Sequence, residues 1–150
     1  MQFPSRKLLL SAHLLLGATL LYSSQQPAVQ AQQSPPGIWE GVYTEAQVTR
    51  GQTIYQAECA TCHLADLTGE DMSPSLVGVG FSFSWQGRSL QELYAIMRFG
   101  MPQTAPGSLS DRAYIDLTAF LLARNGFPAG DAELTADEDR LALIEITSKR

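Results

Sequence analysis

Cys59-Ala60-Thr61-Cys62-His63 decides the reading of this chain. Two thiols three positions apart on one turn of backbone can each form a thioether to one of the two vinyl groups of a single porphyrin, and the residue that follows projects its imidazole at the iron. Cys59 and Cys62 are therefore read as the covalent attachment points of one haem c, and His63 as its proximal ligand. Three other readings fit less well. A structural zinc ion needs four ligands within tetrahedral reach, and only three of suitable type stand here, two of them adjacent. A thioredoxin-like redox pair belongs in a βαβ setting, whereas this motif has helical flanks and no hydrophobic strand upstream. A disulfide between cysteines this close is stereochemically poor and leaves the histidine unexplained.

Upstream of the motif, residues 1–31 read as a secretory signal. Arg6 and Lys7 supply a positive n-region, residues 8–22 an apolar run of 15, and Val29-Gln30-Ala31 a small-residue cleavage site. The run is short for a membrane span, and polar residues 23–26 follow it without stop-transfer charges, so cleavage near Ala31 is expected and an uncleaved anchor is the alternative. No cysteine near the cleavage site suggests a lipid anchor. Covalent haem attachment of this kind takes place outside the cytoplasmic membrane, so the two signals agree on a periplasmic protein, with membrane contact only if the segment stays uncleaved.

Cleavage after Ala31 would leave 119 of the 150 residues, enough for one small domain, in which a buried porphyrin would form part of the core. With Arg6 and Lys7 removed, eight basic residues face fifteen acidic ones, a net charge of −7. That balance disfavours nucleic acid as a partner. An acidic surface is usually a solvated one, and docking onto a basic patch of a redox partner is the functional alternative.

The periodicity downstream predicts an all-α domain. Residues 32–43, rich in Gln, Pro and Gly, read as a flexible lead-in from which Trp39 could fold back as an anchor. Thr44 and Gln47 form a capping box for a first helix with Val48, Gly51, Tyr55 and Cys59 on one face. Residues 64–85, punctuated by Gly69, Pro74, Gly78 and Gly80, read as a loop long enough to wrap the haem. Ser89 and Glu92 cap a second helix bearing Leu90, Leu93, Tyr94 and Met97, which ends at Gly100. After a turn-rich segment with Pro102, Pro106 and Gly107, Ser110 caps a third helix with Ala113, Tyr114, Leu117, Phe120 and Leu121 inward and Gly126 at its end. In the tail, residues 128–150, Thr135 with Glu138 marks a short helix through about Leu143, and Ile144-Glu145-Ile146 alternates like a brief strand. This tail is expected to pack on the domain.

Composition narrows the sixth ligand of the iron. His13 leaves with the signal, so His63 is the only histidine of the mature chain and bis-histidine ligation within one chain is excluded. Met72 follows His63 by nine residues, too soon to reach the opposite haem face readily. Met97 lies on an apolar helical face and reads as packing. Met101 follows the Gly100 stop, and Pro102 biases it to extended geometry, which suits a side chain held out from a loop. Met101 is the expected distal ligand, with Met72 or an open or water-bound iron as alternatives.

These residues resemble a class I cytochrome c over residues 44–127. In that family a glycine and an aromatic four residues on mark the crossing of the first and last helices, and Gly51 with Tyr55 matches, the helix around Tyr114 and Leu117 being the partner. A family proline about a dozen residues past the haem histidine orients the imidazole through its carbonyl, and Pro74 matches. Met101-Pro102 matches the Met-Pro ligand loop of short bacterial members. A tryptophan hydrogen-bonds a haem propionate in some members, which is the role the resemblance implies for Trp85, although a Trp after Phe81 and Phe83 is more often simply core. Arg88 and Arg98 are candidates for propionate neutralisation or simply solvated. Pro106-Gly107-Ser108-Leu109-Ser110 and Asn125-Gly126-Phe127-Pro128 are similar to cytochrome modules found alone or fused to periplasmic quinoprotein dehydrogenases.

The fold implied is cytochrome c-like, three main helices and loops around one haem. Iron held by histidine and methionine has no open position, so one-electron transfer is the expected function, as a soluble carrier or as the electron-accepting subunit of a dehydrogenase, docking transiently at the haem edge. No catalytic residue is assigned. A catalytic haem protein of peroxidase or sulfur-oxidising type, or a haem-based sensor, is the alternative, and either requires an iron that binds external ligands.

Overall fold

A computed structural model describes residues 36–149; the signal-segment reading, and with it His13, lies outside them. Six helices follow in order: α1 Glu45–Glu58, α2 Ala60–His63, α3 Gly78–Trp85, α4 Leu90–Gly100, α5 Asp111–Arg124 and α6 Glu138–Ala142, after a short 3₁₀ turn at Ile38–Glu40. Among the described residues there is no strand beyond isolated bridges. The boundaries of α1, α4 and α5 follow their caps. Thr44 Oγ1 accepts from Gln47 N at 3.4 Å, Ser89 Oγ from Glu92 N at 3.3 Å and Ser110 Oγ from Ala113 N at 3.2 Å, each satisfying one amide that the first turn leaves without a partner.

The centre of the fold is the crossing of α1 and α5. Gly51 meets the α5 backbone so closely that a Cβ there would lie 2.0 Å from the Asp116 carbonyl oxygen. Absence of a side chain lets the two backbones touch, and one turn on, Tyr55 stacks against Phe120 at 5.3 Å between ring centroids. Beside the contact, Arg50 donates to both carboxylate oxygens of buried Asp116, at 2.7 and 2.8 Å, and also to Glu133 at 2.8 Å. The bidentate geometry satisfies a carboxylate that would otherwise be costly to bury. With α1 and α4 both packed on it, α5 is buried from Tyr114 through Leu122, wider than the single inward face its periodicity suggests.

Four expectations need correction. Residues 64–85 are not all loop, since α3 occupies the last eight. Its sequence begins with two glycines in the first three positions and has no capping side chain of its own, so local signals miss it; burial of Phe81 and Trp85, one turn apart, selects the helix instead. The lead-in is packed over residues 36–43: Ile38, Val42 and Tyr43 are buried, Trp39 Nε1 donates to Thr147 O at 3.0 Å, and the Tyr43 hydroxyl donates to Phe127 O. In the tail, Asp137 caps α6 by accepting from Arg140 N at 3.1 Å, in place of Thr135. The expected strand at Ile144 to Ile146 reduces to a single bridge, in which Glu145 pairs antiparallel with Ser89. Leu134, Leu141, Ile144 and Ile146 are all buried, so the tail forms part of the core.

Candidate haem-binding site

α1 delivers the chain into the motif. Cys59 is its C-terminal cap, and α2 places Cys62 and His63 on the next turn. Both cysteines are free thiols, Cys59 half-buried and Cys62 exposed. Burial, with smaller effects from Glu58 and Cys62, pushes the Cys59 thiol up to about 11, so it is protonated at neutral pH. That is opposite to the lowered value of a redox-active pair. Among the described residues no group of three or more His, Cys, Asp and Glu draws together as a metal site, which leaves the zinc reading without support.

His63 is 8 % exposed, and its Nδ1 lies 3.0 Å from the carbonyl oxygen of Pro74. A carbonyl can only accept, so Nδ1 carries a proton, and in the neutral ring it is Nε2 that keeps the lone pair. The segment that brings Pro74 there is tied at many points. Tyr55 Oη donates to Leu64 O at 2.7 Å, Gly69 N to His63 O at 3.1 Å, and Leu76 N to the carbonyl of buried Leu67 at 2.9 Å. Asp66 accepts from the Thr68 hydroxyl and amide at 2.7 and 3.1 Å, which holds its carboxyl below the usual range. Gly69 sits directly under the proline: a Cβ there would lie 2.2 Å from Ser73 O and 2.7 Å from the Pro74 carbonyl carbon.

Met101 caps α4 in extended conformation, φ −128° and ψ 153°, as Pro102 demands. Its backbone is held on both sides: N–H donates to Met97 O at 3.0 Å, and the carbonyl accepts from Tyr114 Oη at 2.6 Å and Gly107 N at 3.4 Å. Arg98, whose guanidinium lies 5.6 Å over the Tyr114 ring, closes the turn with a 2.6 Å bond to Asp111. Met97 is half-buried against the core, in keeping with packing, and Met72 is 96 % exposed on the surface.

Trp85 is buried, with its ring 6.5 Å from that of Phe81 and the Arg88 guanidinium 4.7 Å above it. Arg88 also pairs with Glu92 at 2.9 Å, so neither Arg88 nor Arg98 is an unpaired cation. Thus the fold joins Cys59, Cys62, His63 and Pro74 into one unit and anchors Met101 separately on α5, while Trp85 ends α3 on its buried face. The donor set fits a haem c: two free thiols on one turn, an imidazole with its outer nitrogen satisfied and its inner one open, and a thioether on an anchored loop. Three contributors escape the sequence reading. Gly69 acts through close contact, the Tyr114 hydroxyl through Met101 O, and Asn125 through bonds to residues 76 and 78. Only the glycine carries a local signal, and it resembles any turn glycine.

A family model described as cytochrome C oxidase, cbb3-type, subunit III matches residues 46–121. No curated protein matches the chain. Among solved structures the chain is similar to the sulfane dehydrogenase SoxCD from Paracoccus pantotrophus, with a TM-score of 0.54 and 26 % identity over 77 % of this chain. The match takes in 57 % of that neighbour's chain, so this protein spans little more than half its length.

Proposed function

The chain belongs to the c-type cytochrome family described as cbb3-type cytochrome c oxidase subunit III, and from that premise we propose that it is an exported monohaem protein that passes single electrons between partner proteins. The observation that carries this reading is the 3.0 Å contact between His63 Nδ1 and Pro74 O directly after two free thiols, because it fixes the tautomer that leaves Nε2 open for iron. When bound, haem c supplies a one-electron ferric/ferrous couple. Cys59 and Cys62 would hold it covalently, and His63 and Met101 would be the ligands to its iron. The thioether of Met101 favours the ferrous state, raising the potential relative to a second imidazole. The Pro74 carbonyl works against it by making His63 a stronger donor. Trp85 would face a propionate only through its indole N–H.

The signal-like residues 1–31 and the need for haem attachment outside the cytoplasm support a periplasmic location. The SoxCD neighbour is a sulfane dehydrogenase, which supports a role for this chain as the electron-accepting component of a dehydrogenase; a soluble carrier is the other form of the same function. In either case docking at the haem edge would be small and transient.

The deciding experiment is the optical spectrum of the protein matured with haem in a bacterial periplasm, oxidised and reduced, with and without carbon monoxide. A c-type reduced spectrum, the weak long-wavelength sulfur-to-iron band in the ferric form and no change with carbon monoxide are expected. A high-spin ferric spectrum or prompt carbon monoxide binding would remove Met101 from the iron and favour a catalytic or sensing haem.

A further inference from the structure

Asn125, the residue that ends α5, spends its whole side-chain amide on backbone. Nδ2 donates to Leu76 O at 2.9 Å and Leu121 O at 2.8 Å, and Oδ1 accepts from Gly78 N at 3.0 Å. The orientation of the amide is fixed by its partners, since an N–H requires the oxygen and two carbonyls require the nitrogen. One bond completes the end of α5 itself. The other two reach 49 and 47 residues back, to the segment that runs from Pro74 into α3. They act where local chemistry is weakest. Val77 offers no capping side chain to α3, and Gly78 has a positive φ of 62° with nothing within 4 Å of its missing Cβ.

We propose that Asn125 is a positioning residue for the haem ligand His63. By gripping Leu76 O and Gly78 N it fixes the strand of chain whose Pro74 carbonyl, two residues upstream, receives the His63 Nδ1 proton. α5 thereby holds both ligand segments, Met101 through Tyr114 near its start and Pro74 through Asn125 at its end. A firm Nδ1–H···O=C bond makes the opposite nitrogen a stronger donor and favours ferric iron. Loosening it has two consequences: the Nδ1 proton exchanges faster with solvent, and the reduction potential moves positive.

This proposal rests on His63 being the iron ligand, and its test separates the two. In the reduced, diamagnetic holoprotein, proton exchange at His63 Nδ1–H is followed by NMR alongside the reduction potential. The comparison is wild type with Asn125→Leu, which is uncharged, close in size and loses both donors and the acceptor for Gly78 N. Exchange about tenfold faster, the factor for losing one ordinary hydrogen bond, and a potential shifted positive are expected. Asn125→Gln, which retains both donor and acceptor, should recover part of each effect. Gln47→Leu serves as the structural control, because Gln47 forms a similar buried clamp with Leu134 remote from the motif, at 2.8 and 3.0 Å. It should lower stability without moving either readout. If Asn125→Leu alters stability but leaves exchange and potential at wild-type values, or if Gln47→Leu moves them equally, the positioning role is wrong. If Asn125→Leu yields no folded holoprotein, Asn125→Ala, which removes the amide without adding bulk or charge, decides in its place, and wild-type exchange and potential in it would also sink the idea. A wild-type protein whose His63 is not bound to iron overturns the ligand reading itself.

Discussion

Gly69 combines a φ of 66° with backbone of Ser73 and Pro74 lying where its Cβ would be. The two costs can be separated. Gly87 also has a positive φ, 82°, but nothing within 4 Å of the added carbon. Gly87→Ala should therefore cost only the left-handed backbone term, about 1 kcal/mol. Gly69→Ala adds overlap with atoms that move only by displacing the Pro74 carbonyl from His63, and should cost roughly 3 kcal/mol in all. Urea unfolding of the two holoproteins checks the difference. Equal losses would mean that the backbone beneath Pro74 yields freely. The role proposed for Cys59 and Cys62, by contrast, is covalent chemistry that needs spacing alone, so it is legible from five residues.

At the scale of elements, Gly51 offers a test in which two principles predict opposite signs. By helix propensity alone, Gly→Ala inside α1 should stabilise by about 1 kcal/mol. The close approach to Asp116 O, 2.0 Å from an added Cβ, should instead push α1 and α5 apart and destabilise by about 3 kcal/mol, a Tm loss on the order of 10 °C or more. A thermal melt of Gly51→Ala decides, and a rise in Tm would mean that the crossing is looser than described. Helices with their own caps and periodicity, α1, α4 and α5, were predictable because the signals that start and stop them lie within a few residues. α3 was not, because its amide is satisfied from Asn125 and its stability comes from burying Phe81 and Trp85.

For the whole molecule, apolar burial is uneven. α1, α5 and the tail share a continuous core running from Ile38 to Ile146, while α3 leaves Val79 and Phe83 exposed, Phe83 at 92 %, and the loop before it leaves Met72 bare. A chain made without haem, as the Cys59→Ala/Cys62→Ala variant, should keep slow amide exchange in α1 and α5 and lose it in residues 64–85. In the holoprotein both regions should be protected. Hydrogen exchange read by mass spectrometry checks this. Uniform loss across the chain would show that the haem holds up the entire core.

The sequence by itself determined the Cys59-Ala60-Thr61-Cys62-His63 motif, the one histidine outside the signal-like residues 1–31, the three principal helices and the family pattern of Gly51, Tyr55, Pro74 and Met101. Each depends on covalent spacing, local capping or short-range periodicity, all of which are written in neighbouring residues. Tertiary structure alone decided that residues 36–43 belong to the core, that α5 is buried on nearly every side, and that Asn125, Tyr114 and Gly69 contact the segments carrying Pro74 and Met101. Those depend on backbone groups brought together from as far as 49 residues apart, and a carbonyl or amide of the main chain leaves no mark in the sequence to say which distant side chain will reach it.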